Sequence, residues 1–573
     1  MTVLGTPTAL TFDIREIPFS ARGSWLDLSP VTALHEESSA VHLVSHRNGM
    51  HAVLRFEAVD HGEVVDSSWW ARTSFFRWLA GDGSADAVFE DPATLRFRGH
   101  GVGLRIADAS GGLTPFTGTY LFVDPADGAA TFTSYETGRR YRITMLSGSI
   151  AVEGGEALGL AERSVLLGGD GEAWEAALEE ITSSASPYAA GQGFDALVTA
   201  AEAAFGDYLE AIAPWRDERT PAVGLAAYVL WSATVQPDGF VTRESVLMSK
   251  HWMDKLWSWD HCFNALALAP GFTGLAVDQF LAPFDHQDST GALPDSITHS
   301  EVLYNYVKPP IHGWALRRLR ASAGRALTAA ELEQIHRGLA AWARFWLDRR
   351  RRPGHRLPYY QHGNDSGWDN STTFDRDRVI ESPDLAAFLV LQLEVLAELS
   401  VELGHPSREW EADRDRLLTA LLDQLWTGEE FIAVGALSGT PSTSTSLLNL
   451  LPLVLGERLP EEVRSAMVAH LVDHITDHGV ATEPVTSAMY EPDGYWRGPI
   501  WAPSTALIED GLRACGFTEL ADIVSARFRA LCERSGFAEN FDACTGAGLR
   551  DRAYTWTAAV YLLLAGDYVR RNP

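Results

Sequence analysis

The chain has 573 residues, and its 76 Asp and Glu residues outnumber its 46 Lys and Arg residues, so the formal net charge is −30 at pH 7. Because nucleic acids and anionic membrane surfaces are bound by clustered Lys and Arg, this charge excludes both as expected partners. A hydrophobic share of 46% and a charged share of 21% exclude a largely disordered chain, and the length predicts two or more domains. The 19 Trp residues favour a protein that handles sugars, since indole rings stack on apolar faces.

The sequence carries no feature that would place the protein in or beyond a membrane. No stretch reaches the roughly 18–20 consecutive apolar residues of a membrane helix. Met1 to Ser20 has no basic stretch followed by an apolar one, so no secretory signal is expected. Cys262, Cys515, Cys532 and Cys544 are scattered without a CxxC pair, which argues against a disulfide framework and a cysteine zinc site. We expect a cytoplasmic protein with no metal and no cofactor; the oligomeric state stays open.

The first third of the chain predicts β-structure. Short runs rich in β-branched and aromatic residues alternate with turn-forming Gly, Asp and Pro residues. The runs are Ala40–Ser45, His51–Glu57, Thr94–Arg98, Gly118–Val123 and Arg139–Met145. Their spacing predicts an antiparallel β-sandwich over residues 8–165. A helix over Ala173 to Thr182 and a Ser-rich linker, Ser183 to Pro187, complete a predicted N-terminal domain of residues 1–188.

Helical periodicity dominates the predicted second domain, residues 189–573. Thr328 and Glu331 form a capping box ahead of an apolar stripe, and Ser382 followed by Pro383 predicts another helix start. Further helices are predicted over 196–213, 221–233, 259–269, 409–426, 444–454, 461–474, 501–514, 518–533 and 553–568. About a dozen helices with short loops predict an all-α domain whose antiparallel hairpins close into a ring, and no exact repeat supports a stacked solenoid.

Two loops of the helical part are rich in carboxylates. Ser249 to Cys262 places Trp257, Trp259 and Asp260 beside His261. This pattern suits either a sugar site or a helix N-terminus in which Asp260 faces the helix dipole and the tryptophans are core.

The second carboxylate loop runs from Gly363 to Thr372 and contains Asp365, Trp368 and Asp369 among Gly, Asn and Ser residues. It is too polar for a core segment. It suits either a site that presents a carboxylate or a surface loop built from Asx-turns.

Two further loops combine aromatic rings with a charged group. Gly494 to Trp501 contains Tyr495, Trp496 and Arg497, which predict either a rigid platform for a sugar ring or a packed loop with a structural ion pair. In Gly536 to Asp542, Glu539 lies between two Phe residues. This carboxylate either has a pKa tuned by an apolar setting or simply ends a helix.

Taken together, the four loops point to hydrolysis of a glycosidic bond. In that reaction one carboxylic acid protonates the leaving oxygen, while a second carboxylate activates water or attacks the sugar carbon. Aromatic rings beside the carboxylates would hold the sugar. Whether the loops meet in space is not encoded in their separation along the chain.

Five ordered segments resemble the catalytic domain of glycoside hydrolase family 63, in particular its bacterial mannosylglycerate and glucosylglycerate hydrolase-like members, and more distantly the trehalases. The segments are Trp257–Asn264, Lys308–Trp314, Ser366–Ser371, Tyr495–Trp501 and Glu539–Asp542, within residues 220–565. The resemblance implies an (α/α)6 barrel and an inverting mechanism. The N-terminal sandwich resembles the β domain of several larger members, which the small glycerate-specific enzymes lack.

The resemblance also implies roles for single residues. Asp369 would be the general acid and Glu539 the general base, with Asp365 and Asp542 as alternative carboxylates. Inverting catalysis places such a pair roughly 6.5–9.5 Å apart. The implied substrate-binding residues are Trp257, Trp259, Asp260, His312, Trp368, Tyr495, Trp496, Arg497 and Trp501. Relatives often carry Gln beside the Pro-Pro pair where this chain has Lys308, a departure that bears on the substrate.

The expected function is an inverting, exo-acting α-glucosidase that hydrolyses a small α-glucoside or oligosaccharide. Glucosylglycerate, mannosylglycerate and trehalose are alternative substrates within the same class. A sugar isomerase or epimerase on a similar barrel would instead need a catalytic His pair, for which His261 and His312 are the candidates. A non-catalytic sugar-binding protein is the third alternative.

Overall fold

The computed structural model describes residues 10–155, 159–169 and 171–573. Residues 1–9, which belong to the predicted first domain and to the stretch searched for a secretory signal, lie outside these ranges. The strands of the N-terminal region are β1 (Thr11–Phe12), β2 (Leu26–Ala33), β3 (Glu36–Ser45), β4 (His51–Asp60), β5 (Glu63–Val64), β6 (Ser68–Arg72), β7 (Phe76–Ala80), β8 (Gly83–Asp91), β9 (Thr94–His100), β10 (Gly103–Asp108), β11 (Thr119–Val123), β12 (Ala130–Ser134), β13 (Arg140–Ser147), β14 (Ile150–Glu153), β15 (Ser164–Leu167) and β16 (Trp174–Ile181).

These strands form two antiparallel sheets. The first has nine strands in the order β1-β6-β7-β8-β9-β16-β13-β12-β11, and the second has seven, in the order β14-β15-β10-β4-β3-β2 with β5 paired to β4. Buried apolar side chains from both sheets belong to one core cluster, as expected when two sheets pack face to face. The predicted sandwich and its five predicted strands are confirmed.

The helix predicted over Ala173 to Thr182 is wrong, because this stretch forms strand β16. It pairs with β9 on one side and β13 on the other, inside the nine-stranded sheet. Trp174, Ala176 and Leu178 point to the core. The Ala, Glu and Leu residues favour a helix locally, but the backbone groups of both neighbouring strands are satisfied only if this segment extends between them.

Helices dominate the rest of the described chain. They are α1 (Phe194–Ile212), α2 (Val223–Ala233), α3 (Asp260–Leu268), α4 (Thr273–Leu281), α5 (His312–Ser322), α6 (Ala329–Arg344), α7 (Gly363–Ser366), α8 (Pro383–Leu403), α9 (Arg408–Leu425), α10 (Glu461–Leu471), α11 (Ala502–Ala514), α12 (Thr518–Ser535) and α13 (Thr555–Arg571). Short 3-10 helices cover Ala282–His286, Thr372–Phe374, Leu447–Arg458 and Val472–His474. A π-helical turn, Phe345–Arg349, extends α6.

Pairs of two-residue antiparallel strands lie in the loops between the helices. They are β17 (Thr234–Val235) with β18 (Ser245–Val246), β19 (Ser296–Ile297) with β20 (Val302–Leu303), β21 (Ile380–Glu381) with β22 (Val434–Gly435), β23 (Ile475–Thr476) with β24 (Gly479–Val480), and β25 (Asn540–Phe541) with β26 (Gly548–Leu549).

The helices build a double ring. Neighbours around the inner ring are α3, α5, α8, the 447–458 helix, α11 and α13, and α13 packs back against α3. The outer helices α4, α6, α9, α10, α12 and α2 each pack on this ring. Six inner and six outer helices are the (α/α)6 arrangement that the sequence predicted. The inner helices α3 and α8 are buried over all or most of their length, because each is covered by neighbours on both sides and by an outer helix.

Local signals place two helix starts where the sequence predicted them. The Thr328 hydroxyl accepts from the backbone N–H of Glu331, and the Glu331 carboxylate accepts from the backbone N–H of Thr328. Together these two bonds form a complete capping box. Pro383 is the first residue of α8, but the Ser382 hydroxyl bonds the Asp384 carboxylate instead of capping the backbone. The 447–458 helix is 3-10 rather than α, and Pro452 inside it has no N–H to donate.

The sandwich and the ring share one hydrophobic core. The main buried cluster contains residues of both sheets and of the inner helices, and α1 packs against β8. The Tyr228 hydroxyl on α2 donates to the carbonyl of Ser20 at 3.0 Å. Among the described residues, no helix is both long and apolar enough to cross a membrane.

Candidate active site

A cavity of about 210 Å³ lies where five inner helices begin. Its wall is formed by Met253, Trp257, Trp259, Asp260, Asp295, Lys308, Asn364, Gly367, Asp369, Tyr495, Trp496, Tyr554 and Trp556. Trp259, Asp260, Tyr554 and Trp556 lie at the starts of α3 and α13, and the other wall residues come from the segments of chain that lead into α3, α5, α8 or α11. Helix N-termini carry the positive end of the helix dipole, so this end of the ring favours carboxylates and oxygen-rich ligands. Six of the eleven predicted site residues line the cavity.

Trp496 is the centre of the aromatic wall. Its ring stacks on Trp501 with centroids 4.0 Å apart and an interplanar angle of 6°. Trp368 packs on it at 4.6 Å and Trp259 at 6.1 Å. Trp368 and Trp501 are as fully buried as Trp496, but unlike Trp496 they do not line the cavity. These two predicted substrate-binding residues therefore hold Trp496 and its neighbours rigid.

Gly367 brings the acidic loop against this wall. Its φ of +73° is a left-handed conformation, and a Cβ there would lie 2.6 Å from the ring of Trp259. Only glycine allows both the turn and the close approach. The carboxylate of Asp369, two residues on, is thereby placed at the cavity.

Asn370 joins the acidic loop to the aromatic loop. Its amide nitrogen donates to the carbonyl of Gly494, and its side-chain oxygen accepts from the backbone N–H of Trp496, both at 3.0 Å. Arg497 Nε donates to the Asn370 carbonyl at 2.8 Å, and its guanidinium forms an ion pair with Asp375. The cavity wall does not include Arg497, so this predicted substrate-binding residue holds two loops together.

A buried hydroxyl network supports the other side of the acidic loop. Thr372 donates to Glu483 at 2.9 Å, and Ser371 donates to Ser446 at 2.9 Å. The Glu483 side chain is fully buried and also accepts from Ser487 at 2.8 Å. A buried carboxylate is tolerated when donors satisfy its oxygens, and here they fix the backbone just after Asp369.

Four charged groups meet at the floor of the cavity. Lys308 forms an ion pair with Asp295 at 2.8 Å and donates to the Asn364 carbonyl at 3.0 Å. Burial raises the pKa of Asp260 to about 8, with Lys308 opposing the rise. Burial likewise raises the pKa of Asp369, again opposed by Lys308 and increased by Asp295. Three carboxyl groups thus lie around one ammonium, and the raised pKa values of Asp260 and Asp369 favour a proton on each of these two.

Glu539 is buried beside the cavity. Neither carboxylate oxygen has a hydrogen-bond partner among the described residues, and its backbone N–H donates to the carbonyl of Asp551 at 2.7 Å. Burial and the neighbouring Asp551 raise the pKa of Glu539 to about 8, while Arg550 opposes the rise. After burial, its charge is the largest cause that raises the pKa of Tyr495 and of Tyr554, two residues of the cavity wall. The Glu539 carboxyl is thus an unpaired group next to the sugar-sized space.

The two alternative carboxylates are occupied by local structure. Asp365 accepts from Arg350 at 2.7 Å and from the backbone N–H groups of Val307 and Gln361. Asp542 accepts from the backbone N–H groups that follow it in a turn. Local donors thus satisfy both of these carboxylates, whereas Asp369 lies on the cavity wall and the Glu539 oxygens have no hydrogen-bond partner among the described residues.

Neither candidate histidine lines the cavity. His261 is buried with both ring nitrogens facing carbonyl oxygens, of Trp257 at 3.0 Å and Val246 at 2.8 Å. Burial lowers the pKa of His261 to about 4 and that of His312 to about 3. The His312 ring is packed between Phe280 and Phe284. His312, a predicted substrate-binding residue, therefore lies away from the cavity wall, and the isomerase alternative has no histidine pair at the cavity.

Several site residues were missed by sequence reasoning. Asp295 comes from a loop without any motif. Tyr554 and Trp556 start α13, where their aromatic character looks like core. For Lys308 the sequence predicts only a difference from relatives beside the Pro-Pro pair, not a place on the cavity wall. Its position shortly before α5 could have indicated a cation at the cavity. No group of three or more His, Cys, Asp or Glu residues in the described parts of the chain could hold a metal ion.

Comparisons with known proteins agree with this geometry. A family model described as the mannosylglycerate hydrolase MGH1-like glycoside hydrolase domain matches residues 253–557. The chain is 27% identical over 418 residues to the mannosylglycerate hydrolase of Rubrobacter radiotolerans, covering 60% of this chain and 89% of that relative.

Solved structures share the fold. The GH63 mannosylglycerate hydrolase from Thermus thermophilus in complex with glucose aligns with a TM-score of 0.53 and 24% identity, covering 60% of this chain and 99% of that one. A bacterial glucoamylase complexed with acarbose aligns with a TM-score of 0.64 at 11% identity and covers 99% of this chain and 96% of its own. That alignment extends over both the sandwich and the ring.

Proposed function

The chain belongs to glycoside hydrolase family 63 through its MGH1-like domain, and from this premise we propose that it is an inverting, exo-acting α-glucosidase acting on a small α-glucoside or oligosaccharide. Glycoside hydrolysis follows from the family. The glucose unit, the α-linkage and the inverting course are the proposal. The observation that carries it is a pair of buried carboxyl groups with raised pKa values, Asp369 on the cavity wall and Glu539 beside Tyr495 and Tyr554.

In the proposed reaction Asp369 is the general acid and Glu539 the general base. Asp369 gives its proton to the glycosidic oxygen as the bond from that oxygen to the anomeric carbon breaks. Water forms the new bond to the anomeric carbon from the opposite face and gives its proton to Glu539. An α-glycoside then yields a β-anomer. Burial supports the acid role, because a raised pKa keeps Asp369 protonated at higher pH.

The cavity supports a single-sugar subsite. Its aromatic wall, Trp257, Trp259 and Trp496, offers ring faces to sugar C–H groups, and Asp260, Asp295 and Lys308 offer acceptors and a donor to hydroxyl groups. A small space at the end of a ring of helices suits removal of one terminal unit, not cleavage within a long chain.

The charges of the cavity favour a neutral aglycone. Three carboxyl groups, Asp260, Asp295 and Asp369, surround the one ammonium of Lys308. A glycerate carboxylate would find no free cation in this cavity, because Lys308, the one basic side chain of its wall among the described residues, is already paired with Asp295. The second candidate is hydrolysis of mannosylglycerate or glucosylglycerate, which the name of the Rubrobacter relative favours.

A substrate panel decides between the two candidates. Purified enzyme is assayed on kojibiose, nigerose, isomaltose, trehalose, glucosylglycerate and mannosylglycerate. We expect the highest kcat/KM on a neutral glucoside, and a tenfold preference for either glycerate glycoside would reverse the assignment. Proton NMR of the fresh product should show the β-anomer, and fresh α-anomer would exclude Glu539 as an inverting base.

Two variants test the catalytic pair. Asp369→Asn and Glu539→Gln should each remove nearly all hydrolysis while the far-ultraviolet circular dichroism stays that of the wild type. If both keep activity within about tenfold, roughly 1.4 kcal/mol of barrier, the pair is wrongly assigned.

We also propose that the enzyme works in the cytoplasm. Its four cysteines, all within the described ranges, are free thiols. Free thiols suit a reducing compartment.

A further inference from the structure

The segment of residues 247–259 builds one side of the cavity without belonging to a helix or a strand. It contributes Met253, Trp257 and Trp259 to the wall and leads into Asp260 at the start of α3. A segment of this kind has no continuous ladder of backbone hydrogen bonds to fix its path. A few backbone bonds hold it, among them those between Leu256 and Ile297, and its conformation depends in addition on side chains that bind it from outside.

The sandwich binds this segment through a buried charged triad. Asp27 lies on β2, and His46 directly follows β3. His46 contacts Asp27 through Nε2 at 2.7 Å and Asp254 through Nδ1 at 3.2 Å. Asp254 is the neighbour in sequence of the wall residue Met253. All three side chains of the triad are almost completely excluded from solvent.

A second contact from the sandwich side holds the same segment. Lys250 Nζ donates to the Ser20 hydroxyl at 2.7 Å and to the Ser24 carbonyl at 2.6 Å. The lysine is buried and these oxygens are its hydrogen-bond partners. Burying an ammonium without such partners would be strongly unfavourable, so the contact fixes Lys250 against the sandwich.

The two neighbours of Lys250 in this segment, Ser249 and His251, reach towards the proposed base. Ser249 donates to Asp551 Oδ2 at 2.5 Å, and His251 Nδ1 contacts Asp551 Oδ1 at 3.0 Å. The carbonyl of Asp551 accepts from the backbone N–H of Glu539 at 2.7 Å. A continuous set of buried contacts thus runs from Asp27 in the sandwich to Glu539.

The charges of Asp27, His46 and Asp254 fix the position of Asp254. Burial alone would lower the pKa of His46, but the bonds to Asp254 and Asp27 raise it to about 9. At neutral pH an imidazolium therefore lies between two carboxylates. Removing one partner leaves buried charge uncompensated, so the arrangement holds Asp254 in one place.

We infer that the sandwich is a positioning part of the catalytic apparatus: Asp27 and His46 hold Asp254, and through the 247–259 segment they place both the aromatic wall and Asp551 behind Glu539. The cavity wall contains no sandwich residue among those described, so the sandwich acts through the segment. The inference rests on the site proposed above.

The test uses the full-length enzyme with Asp254→Asn and His46→Gln, each of similar shape to the native side chain. We expect kcat/KM to fall about tenfold or more, with KM rising because the aromatic wall is displaced. Hydrogen exchange should increase in residues 247–259, and the acidic limb of the kcat/KM pH profile should move, since Asp551 acts on Glu539.

Val165→Ala is the matched control. Val165 is fully buried on β15, so the substitution destabilises the sandwich core without touching Asp254 or His46. We expect its kcat, KM and pH profile to match the wild type at temperatures well below its unfolding. If Asp254→Asn and His46→Gln fold and likewise keep kcat, KM and the pH profile of the wild type, the inference is overturned.

Ser20→Ala decides the question if the charged variants do not fold. It removes the hydroxyl that accepts from Lys250 and donates to the Leu26 carbonyl, and we expect a loss of about two- to fivefold in kcat/KM with faster exchange in residues 247–259. Unchanged kcat/KM and exchange would overturn the inference. Failure of the proposed function is separate: it would appear as full hydrolysis by Glu539→Gln, whatever the sandwich variants do.

Discussion

The two sides of the active site are supported in different ways. Around Asp369, the supporting contacts come from the helical ring: Asn370 bonds the aromatic loop, and Thr372 bonds Glu483. Around Glu539, support passes through Asp551 and the 247–259 segment to His46 of the sandwich. Most contacts that hold the proposed acid thus come from the ring, while the proposed base is also held through the sandwich. Substitutions on the two sides should accordingly have different consequences.

The largest expected effect is the loss of kcat/KM in variants of the proposed acid and base, and its dependence on the leaving group of the substrate should distinguish the two residues. On an alkyl glucoside, Asp369→Asn and Glu539→Gln should each lose roughly 10²–10⁴-fold in kcat/KM, the usual range for a general acid or base. The dinitrophenolate of a dinitrophenyl glucoside leaves without being protonated. On that substrate Asp369→Asn should therefore regain most of its lost kcat/KM, and Glu539→Gln should not. Steady-state kinetics with both substrates measure this split, and equal recovery of the two variants would remove the distinction between acid and base.

The next effect concerns the stability of the contact between sandwich and ring. The pKa of His46 is raised in the folded protein to about 9, above its unfolded value of 6.5. Its contribution, on the order of 3 kcal/mol, is therefore fully present below pH 6.5 and is lost as pH rises through 9. Urea unfolding of wild type and His46→Gln at pH 6 and pH 9.5 should show a difference that shrinks at the higher pH.

Lys250 provides a built-in check on that measurement. Burial lowers its pKa to about 7, so between pH 7 and its unfolded value of 10.5 the unfolded chain binds more protons and stability rises with pH. This contribution has the opposite sign to that of His46. Because the wild type and His46→Gln both contain Lys250, the difference between their free energies of unfolding reports the contribution of His46 alone. A difference independent of pH would contradict the charged triad.

A smaller effect is expected from Gly367→Ala on the acid side. The new Cβ would meet the ring of Trp259 at 2.6 Å in a backbone with φ of +73°. We expect kcat/KM to fall about ten- to hundredfold, because the Asp369 loop must move away from the wall. Gly404→Ala is the control: its φ is +76°, but no atom lies within 4 Å of the new Cβ. It should lose stability and keep its kinetics, and equal kinetic losses in both variants would assign the effect to backbone strain alone.

The smallest effect is a shift in pH dependence on the base side. Burial and Asp551 raise the pKa of Glu539 to about 8, and the base must be ionised, so kcat/KM should fall as the pH is lowered below about 8. Arg550 lowers this pKa, and Arg550→Gln should move the acidic limb upward by about half a pH unit. Arg550→Lys keeps the charge and should leave the limb in place. A downward shift in Arg550→Gln would show that another group controls the limb.

Prediction from sequence succeeded where the signal was local. The strand runs, the capping box at Thr328 and the helix starting at Pro383 depend on neighbouring residues, and the structure has them. It failed for Ala173 to Thr182, where sheet pairing outweighed helix propensity. Among site residues, the aromatic loops were recognised by composition. Asp295 and Tyr554 were missed because nothing near them in sequence distinguishes a cavity wall from a core.

The sequence and the tertiary structure determined different properties of this protein. The sequence by itself determined a β-sandwich region followed by a helical ring, most helix and strand positions, and the segments that contain Asp369 and Glu539, because periodicity and local residue chemistry are properties of neighbours along the chain. Only the tertiary structure decided that Trp368 and Trp501 support the wall instead of forming it, that Arg497 and His312 lie away from the cavity, and that His46 reaches Asp254. Those outcomes depend on distance and burial, which arise when the ring closes and the sandwich packs on it.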